Sequence, residues 1–187
     1  MSSEGQAPAG APEGSSQKAR KERVFLAVVD DSEEMPVALH YACRRARGSG
    51  GRVALLYVTT PAAFQHWAAV GDLMRQEARE EGEQLLQKLS AEVYEWAGSY
   101  PILYIREGDV REELVSLIES EPTISVLVLA ASTGAGGPGP IITYLLGKKA
   151  RQNRIPITIV PGNLTDEELI EITRNIPNLL LQPGAGL

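Results

Sequence analysis

The sequence predicts an α/β fold: an open, parallel five-stranded sheet with helices on both faces. Three observations carry this prediction. Five short apolar runs, rich in Val, Ile and Leu, are spaced along the chain. Segments with apolar residues at three- and four-residue spacing separate them, as amphipathic helices require. The runs contain little polar alternation, which fits strands covered on both sides and joined by right-handed crossovers.

Val24 to Val29 is the first strand. It stops at Asp30-Asp31-Ser32, after which Met35, Ala38, Leu39, Ala42 and Ala46 repeat at helical spacing. Ser32 is the expected N-cap, and Glu33 and Glu34 suit the positive end of the helix dipole. Pro36 falls in the first turn, where a missing N–H is tolerated. Gly48, Gly50 and Gly51 end the helix. Arg52 to Thr59 is the second strand, and Thr60 to Val70 connects it to a long helix between Gly71 and Gly98. Leu85, Leu86, Leu89, Val93 and Trp96 share one face of that helix.

Pro101 to Ile105 is the third strand, and Asp109 caps a helix carrying Val110, Leu114, Leu117 and Ile118. Ile124 to Ala130 is the fourth. A glycine-rich loop, Ala131 to Pro140, leads into a helix from Ile141 to about Asn153, and Ile155 to Val160 is the fifth strand. Thr165 and Glu168 have the spacing of a capping box, which predicts a short helix through Ile172. Leu179, Leu180 and Leu181 are expected to dock on this domain or on a second subunit.

The length of 187 residues suits one domain with tails: a disordered leader over 1–22, the α/β domain over 23–162, and a short helix and tail over 163–187. Hydrophobic residues are 43% of the chain, enough for a core without metal or disulfide. The net charge of −6 argues against a nucleic-acid partner. The single cysteine, Cys43, cannot form an internal disulfide and fits a reducing compartment. No run approaches the roughly 20 apolar residues of a membrane helix, and Met1 to Ser16 lacks the apolar run of a signal peptide. The expected location is the cytoplasm, with no membrane partner.

In open α/β sheets, ligands bind beyond the carboxyl ends of strands, where the strand order reverses. With the order 3-2-1-4-5, the Asp30-Asp31-Ser32 turn and the Ala131–Pro140 loop flank one crevice. A carboxylate accepts from an adenine amine or a ribose hydroxyl, and a glycine-rich loop before a helix offers N–H groups to phosphate. Together they point to a nucleotide, with its adenine side at Asp30 and its phosphate side at Gly134. Separately, each loop also reads as a plain helix cap or a flexible turn.

Other chemistries find less support. Gly134 to Gly139 fits G-x-G-x-x-G but follows the fourth strand, contains Pro138, and has no acidic residue about 20 positions on. Gly147-Lys148 is similar to the end of a phosphate loop, yet Ile142 stands at its first glycine and Lys149 at its hydroxyl. His40, His66 and Cys43 lack metal-ligand spacing. No nucleophile elbow or Cys/His pair is visible, so no catalytic residue is expected. Glu77, Glu80, Glu81 and Glu83 read as a solvated helix face.

The segments VFLAVVDDSEEMPVALHYA, ALLYVTTP, REGDVREELVSLI, VLVLAASTG and ITIVPG, in this order and spacing, resemble the universal stress protein family over roughly 23–162. That resemblance implies an adenine nucleotide α-hydrolase-like, Rossmann-like sheet, a homodimer, and ATP or another adenine nucleotide as ligand. It implies that Asp30 contacts adenine or ribose and that Val58 lies beside the base, with Val29 and Ser132 in the same set. The family's G-x2-G-x9-G is matched by Gly134, Gly137 and Gly147, but Lys148 stands where Ser or Thr is expected. Aligned from the strand instead, Ala131 replaces the first glycine, Gly134 becomes the second, and the Gly-Ser pair falls on Tyr144-Leu145. The phosphate site departs from the pattern in either register, and the family also has a branch that does not bind ATP.

The fifth strand should be an edge, and an exposed apolar edge invites pairing. Pairing with its own copy about a two-fold axis makes Ile155, Ile157 and Ile159 the expected dimer interface. The alternative is that the leucine tail covers it. Three functional readings follow: a stress-response nucleotide-binding module, a dimeric scaffold without small ligand, and an ATP-hydrolysing enzyme.

Overall fold

Alternation along the strands divides the core into two layers. The computed structural model describes residues 22–59, 68–147 and 153–174. Its strands are β1 (Val24–Val29), β2 (Arg52–Thr59), β3 (Ile102–Glu107), β4 (Ile124–Ala131) and β5 (Ile157–Pro161). They form one sheet in the order β3-β2-β1-β4-β5, and each neighbouring pair is parallel. The helices are α1 (Met35–Ser49), α2 (Ala68–Ala97), α3 (Val110–Ser120), α4 (Pro140–Leu146) and α5 (Asp166–Thr173).

Phe25, Ala27 and Val29 of β1 join Val53 and Leu55 of β2 under α1 and α2. Val24, Leu26 and Val28 point the other way, to Leu114, Leu117 and Ile118 of α3 and to Ile142 and Leu145 of α4. Each strand of a period-two chain must feed both layers, so the central strand is buried at every position. One irregularity keeps β4 in step. Val24 pairs with Ile124 but Phe25 pairs with Val126, so Ser125 is an extra residue. Its hydroxyl accepts from the Val24 N–H at 3.3 Å. This bulge puts both Ile124 and Leu127 in the α3 layer, which strict alternation forbids.

The helix ends largely follow local chemistry. The Asp109 carboxylate accepts from the N–H groups of Arg111 and Glu112. Thr165 and Glu168 complete the capping box of α5. At α1 the cap differs from expectation: Glu34, not Ser32, is the N-cap residue, and no side chain caps the helix. α2 runs across Tyr57 so closely that a Cβ on Gly82 would collide with the ring. α5 lies on α1, seated by buried Leu169, by an Arg44–Thr173 hydrogen bond, and by His40 Nδ1 at 3.0 Å from Asp166 Oδ1. His40 also stacks on Trp96 of α2 at 4.6 Å between ring centroids.

Two elements are shorter than the sequence suggests. α4 ends at Leu146, and β5 begins at Ile157 rather than Ile155. Pro156 has no N–H to give a ladder, although its carbonyl accepts from Leu127. Ile155 therefore turns into the α3–α4 core and is buried there. Along β5, Ile157 packs against the same layer, whereas Ile159 is 38% exposed. The leader, most of the Thr60–Val70 connection and the Leu179–Leu181 tail lie outside the described residues.

Candidate functional site

Between the carboxyl ends of β1 and β4 the strand order reverses, and helices leave in opposite directions. A cleft of about 350 Å³ opens there. Its floor is apolar: Val28, Val128, Leu129, Ala130 and Ile142. Asp30, Ser32 and Glu34 form one rim, and Ser132 with Gly136–Pro140 forms the other. Met35 and Ala38 close the α1 side.

The rim is shaped by its own hydrogen bonds. Asp30 Oδ1 accepts from both the N–H (3.0 Å) and the hydroxyl of Ser32, a local turn that fixes the carboxylate at the strand end. The Ser132 N–H donates to the Pro138 carbonyl at 3.2 Å, closing the glycine loop on itself. Ser132 Oγ accepts from the Gly134 N–H at 3.3 Å.

Glu34 bridges the two rims. Its Oε1 accepts from the Thr133 N–H at 2.9 Å and from the Thr133 hydroxyl at 3.2 Å. The side chain reaches there by crossing Gly162, where any Cβ would collide with Glu34 Cγ and the Ala131 carbonyl. The Gly162 N–H in turn donates to Ala131 at 3.1 Å. The Thr133 N–H holds the Glu34 carboxyl below its ordinary range, with desolvation opposing it. Glu34 is therefore ionised at neutral pH.

Of the residues singled out in the sequence, Asp30, Ser132 and Gly137 line the cleft, and Gly134 is tied to it through Ser132. Val29 does not reach it: its side chain is buried under α1. Val58 packs toward the α3 layer and is outside the cleft wall. Gly147 ends α4, its N–H donating to Thr143 at 3.0 Å. Lys148 lies outside the described residues. Sequence reasoning missed Glu34, read only as a dipole partner, and missed the apolar floor. One signal for Glu34 was available: it stands four positions after Asp30, within side-chain reach of the same turn. Among the described residues no group of three or more His, Cys, Asp or Glu could hold a metal ion. None of the described helices is long and apolar enough to cross a membrane.

The family model of the Universal stress protein family matches residues 22–152. Solved structures share the fold. The universal stress protein UspA from Lactobacillus plantarum superposes with a TM-score of 0.63 at 17% identity, over 76% of this chain and 99% of that one. A universal stress protein family member from Burkholderia pseudomallei gives 0.55 at 20% identity, over 74% and 95%. An Arabidopsis thaliana member solved with AMP bound gives 0.52 at 16% identity, over 78% and 94%. A search of curated proteins gives no match.

Proposed function

The chain belongs to the universal stress protein family, and from that premise we propose that it binds an adenine nucleotide in the β1–β4 cleft and acts through the bound state rather than by turnover. One observation carries this reading. The Asp30 turn and the glycine loop face each other across an apolar-floored cleft at the reversal of strand order. The apolar floor of Val28, Val128 and Ala130 suits a base, and the Asp30 carboxylate suits a ribose hydroxyl or an adenine amine. Ser132 and Gly137 line the loop side, with Gly134 behind them, where the rest of the ligand lies. The A. thaliana relative with AMP bound supports an adenine ligand. The family-implied roles of Val58 and Gly147 remain part of this proposal, as does that of Lys148, which lies outside the described residues.

A thermal-shift series with adenosine, AMP, ADP and ATP tests it. A ligand at 100 times its dissociation constant adds about 2.7 kcal/mol of stability, a shift of several degrees in Tm. Asp30→Ala is expected to abolish the shift while costing the free protein about 1 kcal/mol of stability through the lost hydrogen bonds to Ser32. No shift with any of the four at millimolar concentration defeats the reading. A ligand-free dimeric scaffold is the second reading, favoured by the loop's self-satisfied hydrogen bonds and by the exposed Ile159 on the β5 edge.

A further inference from the structure

Glu34 stands where a phosphate chain leaving Asp30 toward the glycine loop would have to pass. Its carboxylate accepts the Thr133 N–H and hydroxyl, so neither donor is free for an anion. The next donors are also committed: the Gly134 N–H to Ser132 Oγ and the Ser132 N–H to the Pro138 carbonyl. Pro138 and Pro140, both on the cleft wall, have no N–H to offer. The wall bears two carboxylates, Asp30 and Glu34, and among the described residues no lysine or arginine. The floor and the Asp30 rim fit a base and a sugar; the part of the loop rim that Glu34 occupies does not fit a run of phosphates. A volume of about 350 Å³ sits near the lower end of the roughly 300–1,000 Å³ of small-molecule sites.

Building on the adenine reading above, we propose that this cleft selects an adenine nucleoside or its monophosphate against the triphosphate, and that the Glu34 carboxylate is the residue that sets the limit. Glu34 acts by charge and by occupancy. A phosphate group at the Thr133 N–H must first displace the carboxylate, then lie beside it. Like charges about 4 Å apart repel enough, even at the dielectric of water, to lower affinity about fivefold per charge pair. Displacing the two hydrogen bonds adds to that.

Isothermal titration with adenosine, AMP and ATP, in magnesium-free buffer, tests the proposal on the full chain. In the unaltered protein, adenosine and AMP are expected to bind about 25-fold more tightly than ATP, two such charge pairs combined. Glu34→Gln keeps the shape and an acceptor for Thr133 while removing the charge. It is expected to tighten ATP about 25-fold and to leave adenosine within about twofold. Salt provides a reading that needs no variant: raising ionic strength from low to about 0.5 M screens the repulsion, so ATP binding should strengthen relative to adenosine. ATP binding more tightly than adenosine to the unaltered chain, or weakening with salt, overturns this proposal and leaves the adenine site standing. Equal gains for all three ligands in Glu34→Gln overturn it as well. Binding of none of the three overturns both.

Discussion

Cys43 lies on the buried face of α1, fully enclosed between the helix and the sheet. Burial pushes its thiol up to about 12, and the charge of Glu92 adds to the rise. The thiolate is the reactive form, so a thiol reagent at mildly alkaline pH should leave Cys43 unmodified in the folded protein and modify it rapidly in denaturant. Mass spectrometry reads this directly, and fast labelling of the folded chain would mean that α1 opens readily. The place of Cys43 within the first helix, four residues after Leu39 of the apolar repeat, agrees with a packing role. The role of Glu34 was not legible in the sequence. Its sequence position says only that a carboxylate sits near a helix N-terminus. That it turns across Gly162 to Thr133, 99 positions away in the chain, is a fact of tertiary placement.

α2 shows an element whose composition and packing pull in opposite directions. A glycine inside a helix costs about 1 kcal/mol relative to alanine, so Gly82→Ala should stabilise an isolated helix. In the fold, the added methyl meets the Tyr57 ring and must displace either the ring or α2. A net loss of about 1–3 kcal/mol is expected from such overpacking, measured by urea denaturation. In a Tyr57→Ala background the same change should become neutral or stabilising, and persistence of the loss there would place the cause elsewhere. The strands and the caps at Asp109 and Thr165 were readable because each depends on neighbours within a few residues. The β4 bulge and the late start of β5 were not. Both arise from pairing between distant strands, and a local pattern has no term for a partner.

At the scale of the whole molecule, the strand order was recoverable because parallel strands, right-handed crossovers and family resemblance point to the same arrangement. Ile159 bears on assembly at this scale. It lies on the edge strand, 38% exposed, while Ile155 and Ile157 are committed to the chain's own core. If β5 pairs with its copy, Ile159→Asp should convert a dimer to a monomer in sedimentation with unchanged circular dichroism. A monomeric parent protein, or a variant that still dimerises, removes β5 as the interface.

The family match stops at residue 152, yet β5 and α5 come after it. Val160 and Leu169, both enclosed beneath or beside α1, belong to that later stretch. Trimming the gene to the recognised segment would strip a flank from β4 and uncover the outer side of α1, leaving a product prone to clump. For anyone preparing a shortened version, the last safe cut is set by the seat of Leu169 and the grip of Arg44 on Thr173, not by where similarity fades.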